Sequence, residues 1–147
     1  MNTAEKQVFD ALDVPIGGVM PEQLLTVWPK VEPILARVVK PQTGYDLESV
    51  LTGLQLGMMQ LWVIGDFLAV VVTTIQTRPL HNVLFMQFVA GTDMDSWLDD
   101  WITLVDEFAR QQGCAAIEFG GRKGWNRRLA RSHPEYKPIL TIFRREF

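Results

Sequence analysis

The segment from Val83 to Phe119 constrains this chain more than any other. Val83, Phe85, Gln87 and Val89 alternate with Leu84, Met86 and Phe88, the period-two pattern of a strand. Trp97, Leu98, Trp101, Ile102, Val105, Phe108 and Ala109 then recur at helical spacing, with Asp99, Asp100, Asp106 and Glu107 on the polar side. Thr92-x-x-Asp95 resembles a capping box at the start of that helix, and Gln111-Gln112-Gly113 ends it. A second run of strand character, Cys114–Phe119, follows at once and stops at Gly120-Gly121. Strand, helix and strand on connections this short form a right-handed crossover, which makes the two strands parallel neighbours.

The segments upstream supply the rest of a sheet. Met58–Ile64 and Phe67–Thr77 are rich in β-branched and aromatic residues, and Gly65-Asp66 between them suits a two-residue hairpin. Phe67–Val72 is almost continuously apolar, which predicts burial on both faces. Arg78–Asn82 is a turn. Before the sheet the pattern is helical. Leu24, Leu25 and Trp28 lead into Pro29, and Val31–Val39 continues beyond it, so two short helices or one kinked helix end at Lys40-Pro41. Asp46 offers a cap to a helix carrying Leu47, Val50, Leu51 and Leu54, which Gly57 ends. Residues 3–12 suit a short helix broken by Val14–Gly18, and Lys137–Phe147 has the pattern of a final strand. The expectation is a mixed α/β fold in one domain spanning 1–147, with residues 1–20 as an N-terminal arm. An antiparallel meander plus one parallel strand pair would lie behind N-terminal helices.

Charge narrows the function classes. The net charge is −3, yet residues 122–147 hold eight Lys/Arg against Glu135 and Glu146, a net +6, which leaves −9 on the other 121 residues. The overall acidity argues against a specific nucleic-acid reader, while the basic C-terminal part would favour anions. A single cysteine, Cys114, allows no internal disulfide, and with His81 and His133 both in turns no metal site is expected. Cys114 itself reads as a small buried residue at a strand start. The N-terminus is polar and acidic rather than a signal peptide, and Leu61–Ile75 is too short, and broken by Asp66, to span a membrane.

The cationic groups gather behind Gly120-Gly121, at the C-terminal end of a strand, where α/β proteins tend to bind ligands. Arg122 has two candidate partners there: a carboxylate of this domain, such as Glu118 or Asp93, or an external anion. Trp125 sits among Arg122, Gly124, Arg127 and Arg128. It suits a partner's surface or a packed position under the sheet edge. Glu118, inside an apolar strand, suits a general base of raised pKa or a solvated face.

Several pieces carry a family resemblance: Gln60-Leu61-Trp62-Val63, Ala90-Gly91, Gly113-Cys114, Gly121-Arg122-x-Gly124-Trp125-x-x-x-Leu129, and Tyr136. With the element order, they make the chain resemble the Gcn5-related N-acetyltransferase (GNAT) fold. Within it, the chain resembles short phage proteins described as acetyltransferase-like or internal virion proteins. The resemblance implies that the two parallel strands splay and that acetyl-CoA lies in the gap. The backbone of Phe88, Val89 and Ala90 would hold the pantetheine arm, and Gly91 and Thr92 would open the phosphate loop, which runs to Ser96. Glu118 would be the base, and Tyr136 the acid for the departing thiolate.

The loop departs from the family pattern. It has one glycine, and Asp93 and Asp95 would cap the helix themselves and repel a pyrophosphate. The leading expectation is therefore a phage GNAT-fold protein with a degenerate acetyl-CoA site and no cofactor. It would act as a virion-associated assembly protein through Arg122, Trp125 and Arg128. Its partners would be other phage structural proteins or a second copy of itself, in a virion or the host cytoplasm. The alternative is an acetyl-CoA-dependent N-acetyltransferase acting on an amine.

Overall fold

The computed structural model describes residues 12–147; the helix expected over 3–12 lies outside them but for Leu12. Five strands form one sheet in the order β1-β2-β3-β4-β5: β1 Ile16–Val19, β2 Gln60–Ile64, β3 Ala69–Thr77, β4 Asn82–Gly91 and β5 Cys114–Phe119. The β1–β2, β2–β3 and β3–β4 pairs are antiparallel, and β5 is parallel to β4. Helices α1 (Leu24–Leu35) and α2 (Leu47–Gln55) precede the β2–β4 meander. Helix α3 (Met94–Gln111) joins the parallel pair, and α4 (Lys123–Ser132) follows it. The mixed sheet and its single parallel pair are as the sequence predicts.

The sheet separates two cores, and the strand period decides which side chain enters which. In β3, Ala69 and Val71 join Trp62, Leu84 and Met86 against α3, while Val70 and Val72 join Leu61, Phe88 and Ala90 against α1 and α2. A strand buried on both faces needs no polar alternation, which is why this segment is almost wholly apolar. Among the described residues the one buried polar side chain, Thr73, sits at a bulge in β3. Its hydroxyl accepts from Trp62 Nε1 at 3.0 Å and donates to Gln60 Oε1 at 2.9 Å.

Several boundaries differ from the sequence expectation. Ile16–Val19, expected to be only a break, is an edge strand paired with β2. Its backbone finds partners in an existing sheet edge, which local propensity does not register. The hairpin turn spans Gly65–Leu68, with Gly65 and Phe67 both at positive φ (59° and 56°), so β3 starts at Ala69. Leu24–Leu35 is a single helix despite Pro29 and Pro33. Each proline removes a backbone donor, and burial of Leu24, Trp28, Val31 and Leu35 offsets the loss. Asp46 caps α2 as expected, accepting from Ser49 N at 2.7 Å.

The final strand expected over Lys137–Phe147 does not form. After Tyr136 the chain carries no strand, and Arg144 Nη1 donates to the Gln42 carbonyl at 2.5 Å. Ile139, Leu140, Ile142 and Phe143 are exposed. An apolar alternation becomes a strand only when a sheet edge lies alongside it.

Candidate functional site

The parallel pair is short. Its register runs from Asn82↔Cys114 to Met86↔Phe119 and stops there. Beyond it, Phe88–Gly91 of β4 stays paired with β3 but has no partner on the β5 side. This unpaired edge lies at the C-terminal end of β4, past the last residues that pair with β5. Between the starts of α3 and α4 opens a cavity of about 420 Å³, lined by Asp93, Met94, Asp95, Arg122, Gly124, Trp125 and Arg128.

The start of α3 overturns the expectation of a closed helix end. Asp93 is the N-cap residue, but its backbone is left-handed (φ 57°, ψ 44°) and its side chain makes no cap hydrogen bond. A capping carboxylate needs extended backbone to fold back over the first turn, and Asp93 lacks it. Its carbonyl instead takes both Ser96 N at 3.0 Å and Ser96 Oγ at 2.7 Å. The loop before it is fixed by two further bonds: Thr92 N donates to the Leu68 carbonyl at 3.0 Å, and Trp97 Nε1 donates to the Thr92 carbonyl at 2.8 Å. Asp95 does not cap either. Its Oδ1 takes a hydrogen bond from Arg128 Nη2 at 2.9 Å. Arg128 thus ties α4 to α3 across the cavity.

The second helix start is similarly open. Arg122 is the N-cap of α4, with extended backbone and no side-chain cap. The charges lining the cavity are therefore two carboxylates and two guanidiniums. Each helix start adds about half a positive charge. The sum favours an anion.

Each candidate from the sequence now has a place. Arg122, Trp125 and Arg128 line this one cavity. Phe88 and Ala90 turn their side chains into the α1–α2 core, which leaves their backbone at the gap. Val89 lines an apolar slot behind Trp125. Gly91 is required by packing rather than by a ligand, since an added Cβ would lie 2.4 Å from Ala69 Cβ. Thr92 holds the loop through its backbone.

Tyr136 borders the same slot with Met86, Phe119 and Trp125, and its ring centroid lies 5.9 Å from that of Phe119. Its hydroxyl is buried without a hydrogen-bond partner. Burial, then the Asp106 and Glu135 carboxylates, pushes the phenol well above its usual range.

Glu118 departs from its expected role as base. Arg78, in the β3–β4 turn, donates to both its carboxylate oxygens, at 2.9 and 2.8 Å. These bonds hold its carboxyl below the usual range, so it is a weak base, and it lies within the paired part of β5. They also make Arg78, and not Arg122, the partner of Glu118. The slot residues Leu98, Trp101 and Ile102 are site walls that the sequence marked only as the buried helix face, since helical spacing is identical in either role; Met94, in the cavity wall, carried no signal. Among the described residues no three His, Cys, Asp or Glu side chains cluster as a metal site would require, and no helix is long and apolar enough to cross a membrane.

No protein-family model matches the sequence, and no curated protein matches it. Solved structures match through the fold. An aminoglycoside acetyltransferase from an uncultured soil metagenomic sample, in complex with sisomicin, is 11% identical with a TM-score of 0.68, over 91% of this chain and 96% of that one. An acetyltransferase from Trypanosoma brucei is 14% identical with a TM-score of 0.62, over 92% and 100%. A GCN5-related N-acetyltransferase from Ralstonia eutropha JMP134 is 12% identical with a TM-score of 0.58, over 90% and 98%. The chain has the fold of these acetyltransferases.

Proposed function

We propose that this chain is an N-acyltransferase that takes its acyl group from acetyl-CoA. The observation that carries it is the site itself. Two splayed strand ends present an unpaired β4 edge, two uncapped helix starts, Arg122, Arg128 and the orphaned Tyr136 hydroxyl. Fold alone would not carry the reading, because unrelated functions share folds. The objection from Asp93 and Asp95 is weaker than the sequence suggests: one side chain makes no cap hydrogen bond and the other is held by Arg128.

These residues fit the donor's parts. Arg122, Arg128 and the free N–H groups of α3 would hold phosphate. The unpaired edge at Phe88–Gly91 would accept an extended amide-bearing arm as an added strand. Bound acetyl-CoA would supply the acyl group as an activated thioester. Tyr136 keeps its proton throughout the neutral range, the state a general acid must have. The acceptor in this reading is a primary amine, and Glu118 takes no part.

Titration with acetyl-CoA, followed by heat or melting temperature, tests the reading. Ligand at 100 times its dissociation constant adds about 2.7 kcal/mol to stability. No shift at millimolar acetyl-CoA removes the enzyme. A second reading, virion assembly with other phage structural proteins as partners, has one observation in its favour: the exposed apolar side chains at Ile139, Leu140, Ile142 and Phe143. The structural neighbours lend it nothing. Fixed copy number in purified particles would favour it, and absence from particles would count against it.

A further inference from the structure

Trp125 borders two spaces at once. On one side is the cavity of about 420 Å³ that holds Arg122 and Arg128. On the other is an apolar slot of about 20 Å³ whose walls include Met86, Val89, Phe119 and Tyr136. The indole is the partition between them. Two neighbours fix it in place. Its ring meets Phe119 edge to face at 5.4 Å between centroids, and at Gly121 even a Cβ would lie 2.8 Å from its Cδ1.

The two volumes admit different things. The outer cavity is within the range of about 300–1,000 Å³ that small-molecule ligands occupy. The inner slot has room for about one water, and the Tyr136 hydroxyl is a buried polar atom bordering it. A phosphate-bearing ligand can therefore occupy the outer cavity with the indole seated. Val89, in the middle of the unpaired β4 edge, is itself a wall of this slot, so an arm laid along that edge toward Tyr136 needs the indole to move first.

We propose that Trp125 is the residue that sets which part of a donor this chain takes in. With the indole seated, the site binds the diphosphate end of a nucleotide and gains nothing from an attached arm; with the indole displaced, the arm enters the slot in front of Tyr136. The proposal rests on the acyl-CoA reading above and goes one step beyond it. It makes nucleoside diphosphates ligands of the resting protein in their own right.

Calorimetric titration of the wild type, Trp125→Phe and Trp125→Ala with coenzyme A and, separately, with ADP tests it. In the wild type the two dissociation constants should agree within about threefold; Trp125→Ala should shift the ratio of coenzyme A to ADP affinity about tenfold toward coenzyme A. If Trp125→Ala has no cooperative melt, Trp125→Phe, which keeps a ring against Phe119, carries the same comparison with a gain of about threefold. Wild-type protein that binds coenzyme A tenfold or more tighter than ADP would overturn the partition, about 1.4 kcal/mol being the arm's contribution with the indole in place. A coenzyme A to ADP ratio that no folded variant alters would overturn it too, while leaving the phosphate site standing. Binding of neither nucleotide to the wild type overturns the acyl-CoA reading itself, and the partition with it.

Discussion

Both oxygens of the Glu118 carboxylate accept hydrogen bonds from one guanidinium, Arg78 Nη1 at 2.9 Å and Nη2 at 2.8 Å. The fork joins the β3–β4 turn to β5, and Arg78 Nη2 also reaches Gln76 Oε1 at 2.9 Å. It turns a residue that looked like a candidate base into a clamp on the edge strand.

The clamp has a pH signature. Hydrogen bonding to Arg78 lowers the Glu118 pKa against the opposing effect of burial. A carboxyl lowered on folding stabilises the fold above its unfolded pKa, and the stabilisation is lost as pH falls through the lowered value. Wild-type protein should therefore lose melting temperature below about pH 4 more steeply than Glu118→Gln. The two curves should converge at the acid end and separate toward neutrality. Coenzyme A affinity of Glu118→Gln should match the wild type.

Thr73→Val keeps the shape of a fully buried side chain but leaves Trp62 Nε1 and Gln60 Oε1 without their partner. An unpaired buried donor costs about 1–3 kcal/mol. Urea unfolding should show a loss of that size with an unchanged m-value.

Gly91→Ala should be among the most damaging single changes. The backbone there is at φ 153°, and the new Cβ would fall 2.4 Å from Ala69 Cβ and 2.5 Å from the Leu68 carbonyl oxygen. A loss of about 3 kcal/mol or more is expected, read as a lower melting temperature. A bulky side chain at Gly91 therefore tests folding, and ligand loss in such a variant says nothing about the site.

Tyr136→Phe separates stability from chemistry. The hydroxyl is buried without a partner, so its removal should leave stability unchanged or raise it by about 1 kcal/mol. Acyl transfer should fall about 10²–10⁴-fold, the usual worth of a positioned general acid. A stable variant at full rate would exclude the tyrosine from the reaction.

Asp95→Asn removes the negative partner of Arg128 at the cavity wall. The pair is exposed on the Asp95 side, so stability should change by less than about 1 kcal/mol. ADP affinity should rise several-fold, and Arg128→Ala should lower it. Both effects should shrink in high salt, because exposed charges are screened.

The sequence by itself determined the fold class. The two-faced apolar run of β3 and the strand–helix–strand from Val83 to Phe119 are local signals. Period two and period 3.6 report which face is buried whatever lies against it. It also gathered Arg122, Trp125 and Arg128 into one short segment. It did not determine what those residues do. Asp93 looks like a cap in any linear reading, and only the left-handed turn out of β4, held by Thr92 and Trp97, turns its carboxylate away from that task. Glu118 looks free until the β3–β4 turn, 40 residues earlier, brings Arg78 against it. The apolar tail after Tyr136 looks like a strand, but strand formation depends on a neighbouring edge, and the tail pairs with none, Arg144 reaching the Gln42 carbonyl instead. Trp125 was legible as unusual. That it stands between an anion cavity and a tyrosine depends on where two parallel strands stop pairing, at Met86 and Phe119, an endpoint that no local pattern in either strand marks.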